Sequence, residues 1–244
     1  MPGPLVRCEG CGLVRTEPAP VASVSYDQDY FTERNAYEAR AEEFSAYFRA
    51  LMDDIARVRA TGRLLDIGCG PGLLLEEARN RGYAAAGCDV SAWAVESARR
   101  RGFDARTGVL QALQYPEGAF DIVVANHTLE HIPEPLPFLR EARRLLAPGG
   151  LLAIGVPNHA SLMSTVMGAR WHSLLPDQHY WHFTPATLTR MLREAGFAPN
   201  VMNTGGGRHV HPNAAKALAL NLVVAIANRV GRGEALIALA TLAG

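Results

Sequence analysis

The sequence predicts an α/β protein built on a mostly parallel sheet with helices on both faces, and three stretches carry that reading. Leu64, Leu65 and Ile67 form a short apolar run of the kind a fully buried parallel strand needs. Gly68, Gly70 and Gly72 then make a bend free of side chains, and Leu73, Leu74, Leu75 and Ala78 supply a helix stopped by Gly82. About twenty residues on, a second apolar stretch from Tyr83 to Cys88 ends in Asp89. Phe120 to Asn126 reads as a central buried strand opened by Asp121, with Leu151 to Val156 as its successor.

In chain order, residues 1–25 are a lead-in with Cys8-Glu9-Gly10-Cys11-Gly12 and a proline-broken stretch to Pro20. A Cys-x-x-Cys pair is half of a zinc ribbon, which needs four ligands, and no second pair stands nearby. The lead-in is therefore expected to be disordered or vestigial, and no metal site is expected. Residues 26–62 hold the aromatic run Tyr26-Asp27-Gln28-Asp29-Tyr30-Phe31 and a helix from about Ala36 to Val58. Phe44, Phe48, Leu51, Ile55 and Val58 fall on one face of that helix.

Residues 63–244 form the main domain. Ser91 caps a helix through Ala94, Val95 and Ala98 that Gly102 stops, and a third strand is expected from Phe103 to Arg106. The central strand leads to a helix over 135–146, a turn at Pro148-Gly149-Gly150 and the fifth strand. Across an inserted segment at 160–183, regular core patterning lapses and Trp171, His172, His179, Tyr180 and His182 cluster. Thr184-Pro185 opens a helix with Leu188, Met191, Leu192 and Ala195 on one face, closed by Gly196. Phe197 to Met202 is the expected sixth strand, Gly205-Gly206-Gly207 a flexible connection, Ala214 to Val230 a mostly apolar helix and Glu234 to Thr241 a closing strand.

At 244 residues, 48% of them hydrophobic, the chain fits one α/β domain with modest additions. Its 24 Lys and Arg balance its 24 Asp and Glu, which leaves no electrostatic footprint for nucleic acid. Four cysteines do not suggest a disulfide-built protein. No leader opens the chain and no apolar run reaches the roughly twenty residues of a spanning helix, so a cytoplasmic protein is expected. The helix around Leu218 to Val224 is expected to pack in the ordinary way rather than lie on a membrane surface or a partner.

The glycine turn and the spaced acid make a site for a nucleoside. The first amides of the helix after Gly72 suit polar ligand groups, and an acid at the tip of a second strand suits two ribose hydroxyls. Leu64 to Gly72 and the Gly87-Cys88-Asp89-Val90-Ser91 turn resemble the first two motifs of class I S-adenosylmethionine-dependent methyltransferases. The stretches from Phe120 to Pro135 and from Leu145 to Asn158 resemble the fourth and fifth motifs. The resemblance implies a Rossmann-like seven-stranded sheet with an antiparallel final strand next to the fifth. It implies S-adenosylmethionine as cofactor, with Gly68, Cys69, Gly70 and Gly72 along its methionine and ribose portion and Asp66 toward its ammonium. Asp89 would hold the ribose hydroxyls, Val90 and Leu110 would sandwich the adenine, and Asn126 would contact the methionine moiety. The stretch Gly108-Val109-Leu110-Gln111 lacks the acid that related chains often place there for the adenine amine.

The resemblance further implies methylation of a small molecule, such as a sugar, quinone, lipid or natural-product intermediate, most simply on oxygen. Alignment supplies much of the rate of such a transfer, and a hydroxyl acceptor also needs a base, for which histidine is suited near neutral pH. His131 is the first expected base, ahead of His127 and His179. Tyr26, Tyr30 and Phe31 either form a lid or pack the next helix onto the sheet. Asn158, Trp171, His172, Tyr180 and His182 are expected at the acceptor pocket that the inserted segment roofs. Two other readings stand beside this one. A nicotinamide-dependent dehydrogenase shares the ribose acid, but Leu73 stands where its fingerprint needs glycine. A scaffold or sensor would bind the cofactor and transfer nothing.

Overall fold

A computed structural model describes residues 5–19, 26–34, 40–205 and 214–243. The strands are β1 (Leu5–Arg7), β2 (Val14–Thr16), β3 (Arg63–Ile67), β4 (Ala84–Asp89), β5 (Asp104–Thr107), β6 (Phe120–Asn126), β7 (Leu146–Pro157), β8 (Trp181–His182), β9 (Phe197–Gly205) and β10 (Ala235–Leu242). The helices are α1 (Ala41–Val58), α2 (Leu73–Asn80), α3 (Ala92–Arg100), α4 (Pro135–Leu145), α5 (Leu162–Met167), α6 (Pro185–Glu194) and α7 (Ala214–Arg229).

Seven strands form one sheet in the order β5-β4-β3-β6-β7-β10-β9. The pairs β3/β4, β4/β5, β3/β6 and β6/β7 are parallel, and β10 runs antiparallel between β7 and β9. The antiparallel final strand thus lies where the sequence reading puts it. Alternation along each strand splits the core. Leu64, Ile122, Val124, Leu151 and Ala153 face Leu51, Met52 and Ile55 of α1 and Leu74 and Ala78 of α2. Leu65, Val123, Ala125, Leu152 and Ile154 face the other layer, with Phe138 and Leu139 of α4 and Leu188 and Leu192 of α6. Both faces are covered, so these strands read as continuous apolar runs. The strand order reverses between β3 and β6, which opens a crevice at their carboxyl ends.

Four features differ from the sequence reading. Residues 5–19 of the lead-in carry regular structure: β1 and β2 form a hairpin, and β8 from the inserted segment adds as a third strand. Such short strands carry too little pattern to be read, and their stability comes from the distant partner. Thr16 Oγ1 donates to the His179 carbonyl at 2.8 Å and accepts from His182 Nε2 at 2.9 Å. Pro148-Gly149-Gly150 is a bulge inside a longer β7, where pairing skips from Phe120↔Leu146 to Ile122↔Leu151. Val58 is exposed, leaving Leu51 and Ile55 as the buried anchors of α1. Among the described side chains of α7, Val224 and Ala227 are buried, while Leu218, Leu222 and Ile226 are exposed, as is Val230 just after it. The expected start of α1 at Ala36, and Gly206 and Gly207 of the expected connection, lie outside the described residues. No helix among the described residues is long and apolar enough to cross a membrane.

Candidate active site

A cleft of about 1940 Å³ opens over the carboxyl ends of β3, β4 and β6. Its floor is the glycine turn. Gly68 has φ +79°, and a Cβ there would strike the Thr128 hydroxyl, which donates to the Ile67 carbonyl at 2.9 Å. Only glycine serves at that corner. Asp89 closes the turn from β4, its Oδ2 accepting from the Gly70 amide at 2.9 Å and its Oδ1 from the Ser91 amide at 2.8 Å. Burial raises the Asp89 carboxyl, and the amide hydrogen bonds oppose that rise.

Asp66 is 4% exposed at the edge of this floor. Burial, reinforced by the Asp89 charge, pushes its carboxyl up to about 8, and no cation among the described residues forms an ion pair with it. A buried acid without a counter-charge fits the ammonium of a bound amino acid. Val90, half exposed at the rim, and the buried Leu110 offer apolar surface beyond Asp89. Cys69 also lines the cleft, and burial raises its thiol strongly, as expected of a packing residue. Gly72 is turned away, packed so that a Cβ would meet Phe103 and Ala98 rather than the cleft. The remaining set fits S-adenosylmethionine: an acid for its ammonium, a side-chain-free corner, a second acid for its ribose and apolar flanks for its adenine.

Beyond β6 the cleft turns polar. Asn126 Oδ1 accepts from the Tyr47 hydroxyl of α1 at 2.7 Å, and a Cβ on Gly155 would drive into that same amide oxygen. His127 follows at φ +51°, a backbone conformation rare outside glycine, and its ring is about half exposed. Its Nδ1 lies 3.2 Å from Oε1 of Glu130, which is 1% exposed. Burial works to raise the Glu130 carboxyl, but the His127 hydrogen bond and the surrounding imidazoles outweigh it and hold it at about 2. Glu130 Oε2 is buried with no hydrogen-bond partner among the described residues.

The inserted segment is stitched over this end. The Tyr180 amide donates to the Glu130 carbonyl at 2.9 Å, and Trp181 Nε1 to the Ile132 carbonyl at 3.0 Å. His131 Nδ1 is 3.2 Å from the Gln178 carbonyl and 3.5 Å from the Tyr26 hydroxyl. His179 lies edge-on to His131 with ring centroids 4.7 Å apart, and burial lowers its imidazole to about 4. Tyr26, Tyr30, Phe31, His172 and Tyr180 line the cleft. Phe31 also stacks on Trp93 at 5.4 Å, so the aromatic run both borders the cleft and packs on α3.

Three expected acceptor residues point elsewhere. Asn158 is fully buried, bonding the Gly233 carbonyl and the Ala160 amide. Trp171 is buried against Glu234, and His182 is held neutral, burial lowering it to about 3, where it meets Thr16. Tyr47 and Gln178 were not singled out by the sequence reading. Tyr47 gave a signal in retrospect, as a phenol inside the apolar stripe of α1, whereas Gln178 in an unpatterned loop gave none.

The methyltransferase domain family matches residues 39–201. A ubiquinone biosynthesis O-methyltransferase of Xanthomonas oryzae is 36% identical over 149 residues, 56% of this chain and 62% of that protein. This chain thus matches less than two thirds of that relative's length. Among solved structures, an S-adenosylmethionine-dependent methyltransferase from Archaeoglobus fulgidus superposes with a TM-score of 0.63 at 20% identity, covering 84% of this chain and 99% of that one. The [4+2]-cyclase SpnF superposes with a TM-score of 0.59 at 26% identity, over 80% of each chain. The dehydrogenase reading falls with this family. The chain belongs to the methyltransferase domain family, with the class I fold and S-adenosylmethionine as its cofactor.

Proposed function

We propose that the protein transfers a methyl group to a hydroxyl of a small molecule bound between the glycine turn and the inserted segment. The observation that carries this reading is the His127–Glu130 pair, a half-exposed imidazole held by a buried carboxylate on the cleft that holds Asp66 and Asp89. The name of the Xanthomonas relative, an O-methyltransferase, agrees with oxygen as the acceptor atom.

Bound S-adenosylmethionine supplies a methyl on a sulfonium, an electrophile that needs no protein nucleophile. Asp66 would hold the ammonium, Asp89 the ribose hydroxyls, and Val90 and Leu110 would flank the adenine. Glu130 orients His127 through Nδ1, which leaves Nε2 free to take the proton of the acceptor hydroxyl. The geometry supports His127 ahead of His131 as base, because Glu130 is hydrogen-bonded to the His127 ring, whereas the His131 ring meets the neutral Gln178 carbonyl. Tyr26, Tyr30 and Tyr180 offer apolar and hydroxyl surface for an aromatic or quinol-like acceptor.

The test is release of S-adenosylhomocysteine with a panel of catechols, quinols, sugars and phenolic acids. Turnover with one hydroxylated class, lost in His127→Ala with cofactor affinity retained, supports the reading. Cofactor binding with no release from any acceptor would point to the scaffold reading instead.

A further inference from the structure

Glu130, His131 and His179 each offer a ligand atom, and the three atoms lie within 4.8 Å of one another. We propose that these three side chains bind a divalent transition-metal ion at the acceptor end of the cleft. Two histidines and one carboxylate are a donor set suited to such ions and leave coordination positions open.

The surroundings of each ligand favour the ion over a purely structural cluster. Glu130 Oε1 is engaged by His127, whereas Oε2 is buried and unpartnered among the described residues, a costly arrangement that a cation would relieve. His131 turns Nδ1 to the Gln178 carbonyl, which leaves its Nε2 as a lone-pair donor. Backbone carbonyls that fix the tautomer in this way are the usual outer partners of metal-binding histidines. The ligands come from the turn after β6 and from the inserted segment, which the Tyr180–Glu130 backbone bond joins, so the ion would also clamp the inserted segment. All three line the cleft, which places the open positions where an acceptor with adjacent oxygens can reach. This last consequence rests on the methyl-transfer reading; the ion site itself does not.

Cobalt(II) is a direct probe, because its visible absorption reports nitrogen and oxygen ligation and a sulfur band would reveal thiolates. The metal-stripped full chain should bind one equivalent of Co²⁺ without a sulfur band. Glu130→Gln and His179→Ala should weaken that binding at least tenfold, while the Cys8→Ser/Cys11→Ser double variant should retain it. S-adenosylhomocysteine binding in the same samples verifies folding. If the buried His179 variant does not fold, His131→Ala, at a half-buried ring, gives the same readout. Absence of Co²⁺ binding by folded protein overturns the proposal, as does unchanged binding in the Glu130 and histidine variants or its loss in the cysteine variant. None of these results requires donor or acceptor turnover, so the ion site can fail while methyl transfer stands.

Discussion

At the scale of single residues, Asp66 combines local legibility with a cost that only the fold reveals. Its folded-state pKa of about 8 stands above its ordinary 3.8, so the folded protein holds an extra proton between those values. Stability of the free protein therefore declines as pH rises through this window. Asp66→Asn should gain on the wild type by on the order of 1–2 kcal/mol at pH 8.5, a few degrees in Tm, and little near pH 4. Thermal melts at both values check the sign, and the same variant should bind cofactor more weakly. His127→Ala should slow turnover by roughly 10²–10⁴-fold with cofactor affinity unchanged, as measured by single-turnover kinetics. Asp66, Gly68, Gly70 and Asp89 were legible because strand, turn and helix determine one another over a few residues. Gly72, Asn158, Trp171 and His182 were not, because which way a side chain faces depends on packing from distant segments.

At the scale of elements, the main uncertainty in the sequence concerned pieces too short to show periodicity. The β1–β2 hairpin has three residues in each strand and gains its third strand from β8, more than 160 positions away. Thr16 joins the two through its hydroxyl, donating to the His179 carbonyl and accepting from His182. Thr16→Val leaves those buried partners unpaired and should cost about 1–3 kcal/mol, several degrees in Tm. Its loosening of the inserted segment should appear as a raised acceptor KM, while S-adenosylhomocysteine affinity stays the same. Gly155→Ala tests the junction of β6 and β7. The new methyl displaces the Asn126 amide from Tyr47, and calorimetry should show weaker cofactor binding with the fold retained in circular dichroism.

At the scale of the whole molecule, the central parallel strands were readable because β3, β4 and β6 are apolar runs flanked by an acid or glycine. The antiparallel β10 came from family resemblance rather than from its own residues, and the structure bears it out. The cleft follows from that topology: its cofactor half is set by β3 and β4, and its acceptor half by β6 meeting the inserted segment. The first half is local in sequence and the second is not, which is why the cofactor could be read earlier than the acceptor. The most direct measurement is isothermal titration of the purified chain with S-adenosylhomocysteine, beside Asp89→Ala. Stoichiometric binding by the wild type, weakened in the variant by about 1–3 kcal/mol, is the expected result. No binding by folded wild-type protein, or equal affinity in the two, would contradict the placement of the nucleoside on the Gly70–Asp89 corner.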